Sequence, residues 1–345
     1  MPDSPGAWSI IGNFSAVIWL GAFIISALLI LVFFPLFRNF ALAEPTHRSS
    51  HTVPTPQWGG LAIVLATLGA IGAAVWASPI SGATQHSAVL LLVLATLLLM
   101  LLGAADDLYN LGPRVKLGVQ GAAVALMLMA VPDDLRALPM LPFWLERGLL
   151  FIAAVSFVNL VNFMDGIDWM MVVEVVPITV GVALIGALGA LPPEGLIVAL
   201  ALNGAMLGFA PFNRPVAGLF MGDMGSLPIG LLLAWLLITV AASGYLVAAL
   251  LLPLYFLADT GFTLLRRLRA GERLSQAHRT HFYQRARDNG LSTLQIVGRV
   301  FAINVALVAL AILSVVAEAP VSAALALLAG ASLVGWLMID LARRR

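Results

Sequence analysis

Residues 86–105 read HSAVLLLVLATLLLMLLGAA, and Asp106-Asp107 follow at once. The run holds no Asp, Glu, Lys or Arg and has the length a helix needs to cross about 30 Å of hydrocarbon. The two carboxylates mark where it leaves that hydrocarbon, because an ionised group in a span is costly. Working outward, apolar segments recur at 11–34, 58–79, 86–105, 115–131, 147–165, 170–188, 194–211, 226–242, 244–264, 296–316 and 320–341. They predict an all-α polytopic membrane protein of about eleven spans. Composition agrees, since 61% of the 345 residues are hydrophobic and only 10% are charged, too little polar surface for a water-soluble body. The first run, Gly12–Phe34, exceeds a signal-peptide core and lacks a small-residue cleavage site, so a retained span is expected.

Charge sets the expected orientation. Of 18 basic residues, only Arg136 and Arg147 fall in loops on one side. Arg38, Arg48, Arg114, Lys116, Arg214, Arg266, Arg267, Arg269, Arg273, Arg279, Arg285, Arg287, Arg299 and Arg343–Arg345 fall on the other. The positive-inside rule makes the crowded side cytoplasmic, with the N-terminus outside and the C-terminus inside. Basic residues so placed suit orientation and phosphate binding, and they argue against a nucleic-acid surface. With no cysteine, disulfides, cysteine-ligated zinc and a thiol nucleophile are excluded.

The unusual polar residues gather on that same side, in five stretches. DDLYNLGPRVK (106–116) pairs Asp106 and Asp107 with Lys116 ten and nine residues on; adjacent carboxylates call for a cation, a basic partner or a proton. The plain alternative is a helix-end pair before a turn. NLVNFMDGID spaces Asn159, Asn162, Asp165 and Asp168 by three, which on a helix lines one polar stripe, unless Gly166 breaks the helix and turns the last Asp inward. FNRPVAGLFMGDMGS (212–226) sets Asp223 among glycines before an apolar run, a place for phosphate and Mg²⁺, with Ser226 as the ordinary N-cap alternative. RRLRAGERLSQAHRTHFYQRARDNG (266–290) is either a solvated interface loop or a phosphate clamp built from His278, His281 and Arg285. For Arg266, Arg267 and Arg269 the expectation is orientation charge. HRSSHTVPTPQWGG (47–60) puts His47, Arg48 and His51 before a stiff Pro-Thr-Pro and a glycine pair, with Trp58 as an interface anchor or a substrate contact.

Glu174 and Asp340 fall inside spans near the basic end, where snorkelling or pairing is expected, Asp340 with Arg343–Arg345. Asp259 is a weaker site candidate. A secondary transporter of an anionic solute is the rival reading. It predicts ionisable groups at the midplane of repeated spans, whereas no internal repeat is evident and the polar groups converge on one face.

Taken together the stretches resemble the polyprenyl-phosphate N-acetylaminosugar-1-phosphate transferases, the family of the lipid I translocase and of enzymes that initiate O-antigen, common antigen and teichoic acid. The resemblance rests on PTPQWGG (54–60), Asp106-Asp107 with Lys116 and Gln120, the Asn159/Asn162/Asp165/Asp168 run, Asn213 with FMGDMGS (220–226), and HRTHFYQR (278–285), in the family's order over about residues 47–290.

It implies a single transmembrane catalytic domain over 1–345, with loop 266–290 contributing to a cytoplasmic-face site in the bacterial inner membrane. The reaction it implies moves an N-acetylaminosugar-1-phosphate from a UDP-sugar to undecaprenyl phosphate, releasing UMP, with Mg²⁺ (or Mn²⁺) as cofactor. In that reading Asp223 ligates Mg²⁺, Asp106 and Asp107 position the lipid phosphate, and Lys116 neutralises its charge. Asn159, Asn162, Asp165, Asp168 and Asn213 shape the nucleotide and sugar subsite, and His51, His278, His281 and Arg285 bind the donor. The resemblance also points to a homodimer, for which composition gives no support.

Two departures stand out. Trp169-Met170-Met171 follows Asp168 where the family carries Gly-Leu-Ala, and Met224 replaces the hydroxyl residue after Asp223. HRTHFYQR is closer to the O-antigen branch than to the translocase's three successive histidines, so the expected donor is an amino- or deoxyaminosugar nucleotide.

Overall fold

The computed structural model describes residues 5–40, 42–43, 54–77, 83–272, 279–317 and 319–344. They form helices α1 (Pro5–Phe40), α2 (Gly59–Ala77), α3 (Ala83–Tyr109), α4 (Pro113–Met129), α5 (Phe143–Met164), α6 (Met170–Ala187) and α7 (Pro193–Phe209). Next come α8 (Asp223–Ala242), α9 (Leu246–Leu251), α10 (Leu254–Arg269), α11 (Phe282–Asp288), α12 (Thr293–Val316) and α13 (Pro320–Ala342). One short antiparallel ladder, β1 (Leu42–Ala43) with β2 (Thr55–Pro56), is added to the otherwise helical chain.

The protein is a multi-pass membrane protein. Eight helices among the described residues are long and apolar enough to cross a bilayer, and Pro193–Phe209 is a shorter apolar one. The expected ninth span at 244–264 is broken, because Pro253 ends α9 and starts α10. Proline lacks the N–H that would continue the ladder, and α10 then runs into Arg266, Arg267 and Arg269.

The helix α8 is the axis. All of its membrane-length window is buried inside the protein, packed chiefly on α3 and α5 and also on α2 and α9. Around it, α7 packs on α1, α2 and α6, while α12 joins α6 to α13. Because lipid is as apolar as leucine, small polar clasps do much of the specifying between helices. Trp19 of α1 donates to Asn203 of α7 (2.8 Å), which donates to Thr179 of α6 (2.9 Å). Glu174 does not snorkel: it is wholly buried and accepts a hydrogen bond from Asn304 of α12 (2.6 Å). Asp340 pairs with Arg299 of α12 (3.2 Å), a partner local sequence did not suggest.

In the connection from α4 to α5 the charged groups pair locally. Arg136 pairs with buried Glu146, which also accepts from the Leu138 amide (2.9 Å), and Arg136 and Arg147 both lie over the Phe143 ring.

Candidate active site

Four helix ends meet at one end of α8: the C-termini of α3 and α5 and the N-termini of α4 and α8. The last turn of α3 delivers the carboxylate pair. Asp106 forms an ion pair with Lys116 of α4 and accepts from the Leu111 amide (2.8 Å), so the Asn110-Leu111-Gly112 turn folds onto it. Asp107 faces the other way. Its two oxygens accept from the backbone amides of Asp223 (3.1 Å) and Met224 (3.3 Å). A side chain from α3 thus caps the N-terminus of α8, satisfying donors that a helix start leaves open.

The residue ahead of that helix must be glycine. Gly222 has φ +74°, and a Cβ there would meet Asp107 Oδ2, so an L side chain would be both strained and obstructed. Asp223 itself is the first helical residue, and the N-cap alternative for Ser226 is not what the structure shows, since Gly222 holds that position. Instead Asn162 of α5 donates both to Asp223 Oδ1 (2.7 Å) and to the buried Ser226 hydroxyl (2.8 Å). Asp223 and Asp106 lie within hydrogen-bonding reach of one another.

The stretch Pro54–Gly60 supports this turn from behind. Phe220 N donates to Pro56 O (2.8 Å), Gly59 N to Phe220 O (2.9 Å) and Gly60 N to Met221 O (3.0 Å). Trp58 is half-buried, with its ring meeting Phe37 edge-on at 6.5 Å.

Of the two readings of 159–168, the structure takes the break at Gly166 over the continuous stripe. The helix α5 ends at Met164, and Gly166 follows in the turn that carries Asp168 aside. Asn162 alone reaches Asp223. Asn159 is taken up by a reciprocal amide pair with Gln120 (2.8 and 3.2 Å). Asp168 accepts from Ala217 N (3.1 Å), and Asn213 accepts from Trp169 N (2.8 Å) while donating to Leu219 O (2.9 Å). Asp168 and Asn213 therefore fasten loop 165–169 to loop 213–219. The indole of Trp169 is held too, donating to Ala210 O (2.7 Å).

Asp165 caps α5 just beyond its last residue. Burial raises its carboxyl to about 7, and the charges of Asp107 and Asp168 push the same way. Between the ordinary carboxyl value of 3.8 and about 7 the folded protein holds a proton that the unfolded chain has released, so stability falls as pH rises through that window. Asp165→Asn is accordingly expected to melt several degrees above the parent protein at pH 8 without divalent cation. The gain should shrink toward pH 4, as read by thermal unfolding in detergent.

His281 lies beside this cluster, buried, with its ring stacked on Tyr283 and bonded to Asp259 (3.0 Å). Arg285 and Arg266 both lie over the Phe282 ring, and Arg285 forms no ion pair among the described residues. His51 and His278 lie outside the described residues. Arg267, expected as a solvated orientation charge, is instead buried and paired with Glu272 (2.7 Å). The residue the sequence underrated is Asp259; its signal was an ionisable group in an otherwise apolar segment.

Among the described residues no three His, Asp or Glu side chains form a metal cage. Mg²⁺ seldom needs one: one or two carboxylates with water and phosphate oxygens suffice. Asp223 and Asp106, two carboxyls in mutual contact with one cation (Lys116) beside them, fit that requirement.

The chain is similar to known proteins over these helices. The family described as glycosyl transferase family 4 matches residues 89–241, from α3 through α8. A probable undecaprenyl-phosphate N-acetylglucosaminyl 1-phosphate transferase of Bacillus subtilis is 27% identical over 306 residues, covering 82% of this chain and 83% of its own. A decaprenyl-phosphate N-acetylglucosaminephosphotransferase of Mycobacterium tuberculosis is 30% identical over 299 residues, covering 75% and 72%. A phospho-N-acetylmuramoyl-pentapeptide-transferase of Gluconacetobacter diazotrophicus is 33% identical over 211 residues, covering 51% and 56%. With matches of that extent reaching across the helices that carry Asp106, Asp107, Asn162 and Asp223, the chain belongs to glycosyl transferase family 4, the polyprenyl-phosphate aminosugar-1-phosphate transferases.

Proposed function

We propose that the protein transfers an N-acetylaminosugar-1-phosphate from a UDP-sugar to undecaprenyl phosphate, releasing UMP, as the first step of a surface polysaccharide. The observation that carries this reading is the meeting of Asp106, Asp107, Lys116, Asn162 and Asp223 at the mouth of one buried helix. In the orientation given by charge, that mouth opens to the cytoplasm of a bacterial inner membrane, where nucleotide sugars are found, with the N-terminus periplasmic.

A lipid phosphate oxygen attacks the sugar-bearing phosphorus of the donor. A new P–O bond forms, the bridging P–O bond breaks, and its electron pair leaves with UMP. Mg²⁺ held at Asp223, with Asp106 adjacent, would neutralise pyrophosphate charge. Lys116 supplies fixed positive charge at the same mouth, and Asn162 keeps the Asp223 carboxylate from turning away. Asp107 holds the first turn of α8, and Asp165 is placed to take a proton near neutral pH.

Direct attack is favoured over a covalent aspartyl intermediate. Both Asp107 oxygens accept backbone N–H groups, and Asp106 is engaged by Lys116 and Leu111, which makes each carboxylate a weaker nucleophile than the lipid phosphate. Purified protein with Mg²⁺ and undecaprenyl phosphate should release UMP from one or two members of a panel of UDP-N-acetylhexosamines and their 6-deoxy forms. Without lipid it should show no exchange between labelled UMP and UDP-sugar. Lipid-free exchange would establish the covalent route; UMP release that ignores the lipid would sink the transferase reading.

A further inference from the structure

The carboxylate of Asp259, on the second turn of α10, is wholly buried yet saturated with donors. Oδ1 accepts from Thr263 Oγ1 (3.3 Å), from the Phe282 amide (3.1 Å) and from His281 Nδ1 (3.0 Å). Oδ2 accepts from the Tyr255 hydroxyl (3.1 Å) and the Tyr283 amide (3.3 Å). Two of these donors belong to α10 itself, and three arrive from the segment that opens α11. A carboxylate facing Nδ1 keeps the proton on that nitrogen and so fixes both tautomer and ring plane.

The same segment reaches the site through Tyr283. Its ring is buried and stacked on His281, with centroids 5.8 Å apart and 23° between planes. Its hydroxyl donates to Phe163 O in the last turn of α5 (3.1 Å) and rests on the Cα of Gly166, where a Cβ could not fit. Gln284 donates to that hydroxyl in turn (3.1 Å). A continuous chain of contacts therefore runs from Asp259 through His281 and Tyr283 to the turn holding Asp165, and Arg285 rides on the same short helix.

We propose that Asp259 is a positioning residue of the transferase: it docks residues 281–285 so that Tyr283 holds the Asp165–Gly166 turn in place. This rests on the phosphosugar-transfer reading, and it concerns a residue with no reach to the reacting atoms. A carboxylate serving only the fold would influence activity through the amount of folded protein alone. A positioning carboxylate lowers turnover in protein that is still folded, because displacement by about 1 Å far from the chemistry can cost about 10²-fold.

The test uses full-length protein in detergent carrying Asp259→Ala, Asp259→Asn, Tyr283→Phe or the double change Asp259→Ala/Tyr283→Phe. Expected are a loss in kcat of about 10²-fold for Asp259→Ala, partial recovery in Asp259→Asn, and about tenfold for Tyr283→Phe. The double variant should be no worse than Asp259→Ala, because both changes cut one link. Amide exchange over 163–168 and 281–288 should quicken in Asp259→Ala and, over 163–168, in Tyr283→Phe. Multiplied losses in the double variant, or unchanged exchange at 163–168, would overturn the proposal. Tyr283→Phe removes one hydroxyl, so it carries the test if Asp259→Ala does not fold. Exchange is read without substrate. If the parent protein releases no UMP from any donor while the exchange pattern appears, the transfer reading has failed and the docking has not.

Discussion

Asp223→Asn is expected to cut UMP release about 10³-fold in protein that melts no earlier than the parent. The size follows from removing one preorganised charge where negative charge must be neutralised, which typically costs about 10²–10³ in kcat. The retained stability follows from geometry. The amide oxygen of the substituted side chain can still accept from Asn162, as Asp223 Oδ1 does at 2.7 Å, and the backbone amide still meets Asp107. Contact with the Asp106 carboxyl, unfavourable between two anions, is relieved. Loss of activity with an unchanged or raised melting temperature separates a chemical role from a structural one. Near-parent turnover would remove Asp223 from the proposed metal site. A lowered melting temperature would show that its hydrogen bonds, and not its charge, were being measured.

The second large effect comes from a residue with no chemistry at all. Gly60, in the first turn of α2, lies flat against Gly225 in the first turn of α8, and a Cβ at residue 60 would run into the Gly225 backbone. Gly60→Val should push α8 off α2 and carry Asp223 out of line, giving at least about 10²-fold loss of turnover. A fall of several degrees in melting temperature should accompany it, since overpacking costs about 1–3 kcal/mol. Gly72 on the same helix has open space where a Cβ would go. Gly72→Ala should leave both readings near the parent, which controls for helix propensity. Equal behaviour of the two variants would mean that the approach of α2 to α8 does not set the site.

These two residues also show what sequence could and could not reveal. Asp223 stood out as a carboxylate between glycines at the head of an apolar run, and the structure brings it to Asn162 and Asp106. Asp106 and Asp107 stood out in the same way, and eight of the eleven expected spans fall on helices long and apolar enough to cross, because lipid leaves the backbone few options. Contacts between distant segments were not legible. Nothing local says that Asp107 caps a helix that starts more than a hundred residues later, or that Asn159 is engaged by Gln120. Over 159–168 the sequence left two readings open, and the structure takes the one in which Gly166 breaks the helix; that Asp168 would then meet Ala217 N was not visible. Asp259 looked minor because its partners, His281 and the amides of Phe282 and Tyr283, lie 22–24 residues ahead. The interruption of the ninth expected span needed the weight of Pro253 against an otherwise continuous apolar run.

The buried axis has a consequence for how the protein lives in membranes of different thickness. Hydrophobic mismatch acts on helices that touch acyl chains, which respond by tilting or sliding. The outer helices α1 and α13 present much of their length to lipid, whereas α8 presents none of its membrane-length window. A bilayer that thins or thickens with temperature or growth phase therefore strains the outer shell first. The helix that carries Asp223 is enclosed by a sleeve of neighbours that meets the adjustment first.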